Sequence, residues 1–468
     1  MSALTLGWPA NQRFAVAAVA AAAALVGAAA VRYGPAALAL PLVAVASVAL
    51  LQRARLAVGT LIALLVLSEG RSDDFLGFAS ALYDPLPFGP TPLEGLLGLA
   101  VLAVLLDRLS AGRPLRLAGP LTVPLVLVVL ATAAGAAIGA FADVPPKDLL
   151  FAGRQLLWLA VVPLLVVNVV ETQRQARAAL LFGIGLALIK AVLGLAGVAA
   201  GVGLVVEGAT ITYYEPTANW LVLLALLGVV AAVLLRARPP AWALAGAPLF
   251  VLSLALSYRR SFWIAAALGF VLVCLLGSRP FGRRLVLVSG LVLAAAIWLL
   301  SFQSFDAEGP IVERARTLEP SKLDQNAQDR YRVDELANVV AEIRRHPLTG
   351  LGLGVEWTAT HPLALEHENG RAYTHVVALW WWLKLGLLGL LAYLAVMATS
   401  IAMGWQVWRR SKDPLLSAAG LALMCGFVAL AAVETVGSFT GVEPRLTALV
   451  GAVAGLLVVL RRLTLRPY

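Results

Sequence analysis

Apolar runs long enough to cross a bilayer recur along the whole of this 468-residue chain. A spanning helix needs about 20 largely apolar residues, within a range of about 17–25. Fourteen candidate segments stand out: 14–31, 35–51, 56–68, 92–106, 119–141, 149–169, 178–200, 219–236, 240–257, 261–277, 285–302, 376–404, 415–436 and 444–461. Since 56–68 and 92–106 are short, the pattern predicts an all-α polytopic integral membrane protein with about 12–14 transmembrane helices. Composition agrees, at 61% hydrophobic and 13% charged residues with a mean hydropathy of +0.88. Soluble domains carry about 45–50% and about 25% respectively. No single soluble core could hide that excess, which excludes a soluble enzyme, a secreted disulfide scaffold and a disordered chain. The two cysteines, Cys274 and Cys425, lie inside apolar runs and read as small buried hydrophobes. Arg13 precedes a long Ala/Val run with no cleavage-type site before polar sequence, so the expectation is a retained first span rather than a removable signal.

The formal charge of +10 invites a nucleic-acid reading, but no soluble domain exists to carry a basic face. Lys and Arg gather instead in cytoplasmic loops of membrane proteins. With a cytoplasmic N-terminus, the inside connections hold Arg53 and Arg55; Arg108, Arg113 and Arg116; Arg174 and Arg177; Arg236 and Arg238; Arg279, Arg283 and Arg284; Arg409, Arg410 and Lys412; and Arg461, Arg462 and Arg466. The short outside connections are acidic or nearly neutral, as with Asp73 and Asp74 or Glu207 and Glu215. A frame error of one helix would invert the pattern, so both termini are expected in the cytoplasm.

One connection breaks the rhythm of short loops. Residues 303–375 separate spans 1–302 from spans 376–468 and are expected outside, as one large structured extracytoplasmic loop. Within it, about 325–346 reads as an amphipathic helix, with Leu336, Val339, Val340 and Ile343 at i, i+3, i+4 and i+7. Pro347 and the run Gly350-Leu351-Gly352-Leu353-Gly354 then end it in a turn; with no preceding strand, that run is not a dinucleotide fingerprint. The loop carries eight basic and twelve acidic residues, so most of its charge is a solvated face. All four histidines (His346, His361, His367, His375) fall in it. His361, His367 and His375 with Glu366 and Glu368 lack metal-ligand spacing, and no metal or other cofactor is expected.

Several charged residues sit where lipid-facing chains rarely place them. Lys190 and Lys384 lie within apolar runs, where a lysine either snorkels or faces an interior cavity. Arg259 and Arg260 lie at the outer edge of a helix pair, on the side that should be poor in arginine, and Arg154 is a weaker case of the same kind. Guanidinium groups there suit phosphate oxygens or lipid headgroups.

From these residues a family emerges. Arg332-Val333-Asp334-Glu335-Leu336, followed by His346-Pro347 and the glycine run, resembles the loop motif of the O-antigen ligase and O-antigen polymerase superfamily. His375 with Gly386-Leu387-Leu388-Gly389-Leu390 resembles the histidine-led helix after that loop. Ser257-Tyr258-Arg259-Arg260-Ser261 is similar to its Ser-Arg-small motif, and Glu215-Pro216-Thr217-Ala218-Asn219 to its Pro-Asn element. The resemblance covers roughly 210–395; Val376 stands where the family often has Asn, and Leu336 where it often has Trp. It implies a metal-independent, GT-C-type glycosyltransferase in the bacterial cytoplasmic membrane. Such an enzyme moves a glycan from undecaprenyl diphosphate to a glycan, glycolipid or protein acceptor by inverting transfer at the outer face. Carried over by position, Arg260, Arg332 and His375 fall on the essential arginines and histidine, with Arg259, Arg154, Glu215, Asn219 and Lys190 as substrate-binding candidates. The alternatives are a transporter or flippase of a lipid-linked glycan, for which no internal repeat speaks, and a non-catalytic envelope scaffold.

Overall fold

The computed structural model describes residues 40–68, 82–83, 89–206, 209–277, 280–281, 284, 286, 327–363 and 370–465. The expected span 14–31, nearly all of 285–302, the loop portions 303–326 and 364–369, and with them Glu366, His367 and Glu368, lie outside the described residues. Thirteen α-helices make up the described fold: α1 (Leu40–Leu51), α2 (Ala54–Leu67), α3 (Pro92–Ser110), α4 (Thr122–Phe141), α5 (Pro146–Val169), α6 (Gln173–Ala199), α7 (Pro216–Leu234), α8 (Ala241–Ala255), α9 (Arg260–Gly277), α10 (Ala327–Arg345), α11 (Val377–Arg410), α12 (Pro414–Val433) and α13 (Pro444–Leu465). Strand is confined to a two-residue antiparallel pair, β1 (Val205–Val206) and β2 (Ala209–Thr210). The chain is an all-α polytopic membrane protein, with eight helices among the described residues long and apolar enough to cross a bilayer. A ninth is possible by joining residues 45–51 to α2, although that pair bends by 118°. The short segment 92–106 lengthens to the 19 residues of α3, whereas α8 is only 15 residues long.

Local sequence explains where these helices begin. Five of them (α3, α5, α7, α12, α13) start on proline, whose missing N–H is unneeded in a first turn. Thr91 with Glu94 and Thr172 with Gln175 form capping boxes, and Asp413 accepts from the N–H groups of Leu415 and Leu416.

Burial separates the bundle into an inner and an outer set. The most apolar stretches of α7, α12 and α13 are 78, 83 and 72% buried, against 28% for α6 and α9, so the first three form the centre and the others face lipid. Small residues permit the closest approaches. α5 and α13 meet where a Cβ on Gly455 would lie 2.8 Å from Pro163 Cα, and Gly451, four residues earlier, faces the same proline.

Up-and-down alternation brings Arg53, Arg55, Arg108, Arg113, Arg116, Arg174, Arg177, Arg236, Arg238, Arg409, Arg410, Lys412, Arg461 and Arg462 to one end of the bundle. Glu171 is the acidic hub there, with Arg108 at 2.9 Å, Arg116 at 3.0 Å and Arg113 at 3.2 Å. Burial alone would lift its carboxyl, but Arg116, Arg108 and Arg113 together hold it below the usual carboxylate range. A group depressed by folding contributes stability above its unfolded value and loses it as pH falls through the folded one. Glu171→Gln is therefore expected to cost about 1–3 kcal/mol at neutral pH, discounted for its partial exposure. The difference from wild type should shrink as thermal melts are taken from pH 6 toward pH 3; an offset independent of pH would mean that charge is not what Glu171 contributes.

The opposite end carries the large loop. Helix α10 occupies Ala327–Arg345, within the expected bounds, and buries Val339 and Ile343 as expected, but not Leu336. Leu336 is 43% exposed, while Tyr331, Glu335, Asn338, Val339, Glu342 and Ile343 are buried. Polar side chains occupy that face because the chain beyond supplies their partners. Asn338 Oδ1 accepts from Thr360 N at 2.7 Å, Thr360 Oγ1 at 3.1 Å and His361 N at 2.7 Å, and its amide donates to Asp334 O and His361 O. Each buried group stranded by its removal costs about 1–3 kcal/mol. Asn338→Ala should accordingly open 355–363 to protease at temperatures where wild type resists, and an unchanged cleavage rate would refute this anchoring.

A small apolar core of Val339, Ile343, Trp357 and Leu383 seats α10 on the start of α11. That start is interrupted: Gly386, at φ +67° and ψ −165°, breaks α11 into 377–385 and 387–410. The glycine run fills the break. Leu351 N–H donates to Leu383 O at 2.7 Å, Gly352 N–H to Lys384 O at 3.2 Å, and Leu387 N–H to Leu348 O at 3.2 Å. Leu353 N–H then reaches Gly135 O on α4 at 2.9 Å. The carbonyls and the amide orphaned by the break are thus satisfied from outside the helix, as burial demands. The run is a turn, as expected, with Gly350, Gly352 and Gly354 all at positive φ.

Candidate functional site

The loop end gathers four short connections, described over 200–206 with 209–215, 256–259, 370–376 and 434–443. Tyr258 sits at φ +55°, a costly conformation for a bulky residue, and it turns the chain immediately before Arg259 and Arg260 at the head of α9. Arg259 is stacked over the rings of Tyr214 at 4.1 Å and Phe439 at 5.1 Å, which fixes its guanidinium plane. Arg260 opens α9, half-buried.

His375 sits just before α11 and is held by α10. Its backbone N–H donates to Glu335 Oε2 at 2.8 Å, and its ring Nδ1 lies 3.0 Å from the same oxygen. Thr374 Oγ1 donates to Glu335 at 3.3 Å, and Tyr331 is hydrogen-bonded to that carboxyl as well. The rings of Tyr373 and Tyr331 stand edge-on to the imidazole at 5.0 and 6.0 Å. Arg332 shares α10 with Glu335, three residues earlier, and together with Arg259 and Glu335 it acts electrostatically on Tyr373. Burial pushes the Tyr373 phenol up to about 12, and burial with Glu335 raises that of Tyr331, so both remain neutral at physiological pH. Arg259, Arg332 and His375 are therefore brought together from three segments far apart in sequence.

The remaining candidates are engaged nearby. Glu215 pairs with the buried Arg445, which also binds Glu443 at 2.6 Å and Ser68 O at 3.3 Å. Asn219 donates to Tyr213 O at 3.0 Å and to Glu215 O at 2.9 Å, bracing the head of α7. Lys190, buried, donates to Leu67 O at 3.3 Å and lies 4.2 Å from the Tyr213 ring centre. Arg154 pairs with Glu94 at 3.2 Å. Lys384 reaches inward to Val355 O, in keeping with a lysine turned away from lipid. Among the described residues no three His, Cys, Asp or Glu side chains gather as ligands for a metal ion.

Glu335 was not among the sequence candidates, although it lies inside the quoted Arg332–Leu336 stretch. Its one signal was its place a turn beyond Arg332, on the side of α10 shared with Val339 and Ile343. Arg445 was equally unmarked, at the head of an apolar run.

A polytopic α-helical bundle with α10 packed on one end, where Arg259 meets Arg332 and the carboxylate-held His375, defines the class: a polytopic membrane protein with a polar cluster at one end of its helices. Residues 245–394 match the family model described as O-antigen ligase, Wzy_C, so this third of the chain is similar to that family. The match takes in Arg259, Arg260, Arg332, Glu335, His375 and the Gly386 break, but not Arg154, Lys190, Glu215 or Asn219. No curated protein matches the chain.

Proposed function

We propose that the protein is a GT-C-type glycosyltransferase of the bacterial cytoplasmic membrane. It takes a glycan from undecaprenyl diphosphate and joins it to an acceptor sugar at the extracytoplasmic face, as a polysaccharide ligase or polymerase. The observation that carries this reading is the convergence of Arg259 with Arg332 and His375 of the loop, at the end of the bundle opposite the basic connections. The positive-inside rule then puts that basic end, and with it the C-terminus, in the cytoplasm.

In one inverting displacement, an acceptor hydroxyl oxygen attacks the anomeric carbon. The bond from that carbon to the diphosphate oxygen breaks, and undecaprenyl diphosphate departs with the electron pair. Arg260 and Arg332, with Arg259 beside them, neutralise charge that grows as the bond breaks, so they bind the transition state more tightly than the ground state. That supply of fixed positive charge lets transfer run without a metal. His375 takes the hydroxyl proton as general base. Arg154, Lys190, Glu215 and Asn219 hold the neighbouring helix ends that wall the donor site.

The test is transfer by purified protein in detergent, with undecaprenyl-diphosphate glycan, candidate acceptors and EDTA. Product that is absent with His375→Ala is expected, and its size ladder separates polymerase from ligase. Donor movement across vesicles without product would favour a flippase instead.

A further inference from the structure

Glu335 is the most heavily used side chain at the loop end. It is 2% exposed, and one carboxylate serves four groups: the His375 N–H, the His375 ring, the Thr374 hydroxyl and the Tyr331 phenol. A buried carboxylate is retained only where its oxygens are well satisfied. Here they are, and the partners are concentrated on a single imidazole and the backbone that carries it.

The direction of the ring bond follows from chemistry. A carboxylate only accepts hydrogen bonds, so Nδ1, 3.0 Å away, carries the hydrogen. Proton exchange with any other group then falls to Nε2. The backbone bond from His375 N–H to the same oxygen fixes the ring's origin, and the edge-on rings of Tyr331 and Tyr373 limit its rotation. Glu335 also stands one helical turn from Arg332 on α10. The rigid spacing of that helix therefore ties the position of the imidazole to that of the guanidinium.

We infer that Glu335 is the positioning residue of the site. It holds His375 as the Nδ1–H tautomer, directs Nε2 toward the acceptor hydroxyl and stabilises the imidazolium formed when that proton is taken. This rests on the reading of His375 as the base, and it adds a residue and a tautomer which that reading does not contain. The arrangement is the second-carboxylate logic by which a histidine base is oriented and its cation compensated.

The test uses full-length protein in detergent, labelled with 15N-histidine. The chain has four histidines, and the resonance missing from His375→Ala assigns the fourth ring. Wild type is expected to show His375 with Nδ1 protonated and Nε2 bearing the lone pair. In Glu335→Ala the Nε2–H tautomer should appear, and Glu335→Asp should restore part of the wild-type pattern. Glu335→Gln keeps the volume but not the charge, and guards against loss of fold. Turnover should fall by about a hundredfold or more in the alanine variant and less in the glutamine one, with donor KM nearly unchanged. An unaltered His375 spectrum in folded Glu335→Ala overturns the inference, as does an altered spectrum with wild-type kcat. If wild type transfers no donor at all, the proposed function fails, while the spectrum still decides whether Glu335 holds the ring.

Discussion

Alanine at His375, Arg332 or Arg260 is expected to abolish glycan transfer while leaving expression and thermal stability near wild type. Loss of a general base costs about 10²–10⁴-fold in rate, and loss of one electrostatic donor aimed at developing charge costs about 10²–10³-fold. All three side chains are only partly buried, so truncation opens no large apolar cavity. Arg332→Lys and Arg260→Lys should rescue poorly, because an ammonium cannot reproduce the planar fork that meets two phosphate oxygens. The measurement is kcat and KM for the donor in detergent, beside a melt of each variant. Near-wild-type transfer by any two of the three would remove them from the site.

Gly386→Ala is expected to be the most damaging single methyl group in the described fold. The residue sits at φ +67°, where a Cβ is strained, and that Cβ would fall on Leu348 O, with Thr349 C only 2.6 Å away. Backbone cannot retreat there, since Leu348 O, Leu383 O and Lys384 O are all bonded across the break. Strain and overlap together should exceed about 3 kcal/mol. The variant should melt below wild type, be cut by protease within 346–363, and lose transfer because His375 and α10 lose their seat. A melting temperature equal to wild type would refute this account of the break, since a cost of that size shifts the midpoint of a chain this long by about 3 °C or more.

The fold class was legible because lipid as solvent leaves a coarse mark, in apolar runs punctuated by proline, glycine and arginine. The bounds of α10 were legible as well, from its period and from Pro347. The face it buries was legible only through Val339 and Ile343. Hydropathic periodicity counts Leu336 as an inward residue and Glu335, Asn338 and Glu342 as outward ones, yet the inward set finds its partners in Thr360, His361 and His375. Those bonds join residues 22 to 40 positions apart, beyond the reach of any local pattern. Likewise 376–404 reads as one uninterrupted run, because a glycine in an apolar helix signals nothing about the loop that will enter beside it. The resemblance, not spacing, marked Arg260, Arg332 and His375 as the catalytic set; the structure gathers Arg332 and His375 with Arg259 around Tyr373, and Arg260 opens α9 one residue further on. Lys190, marked for its place in an apolar run, and Glu215 and Asn219, marked by the resemblance, make contacts that hold helix ends together.

The splice at Gly386 means that the loop is not a module. Residues 327–375 cut away from the membrane would leave Leu348 O, Leu351 N and Gly352 N facing water and would take Leu383 from the small core under α10. Conversely, a chain ending before α11 would lack the surface on which Glu335 and His375 are assembled. Grafting this chemistry onto a soluble scaffold would therefore require the first nine residues of α11 and the glycine-bearing face of α4, not the loop alone.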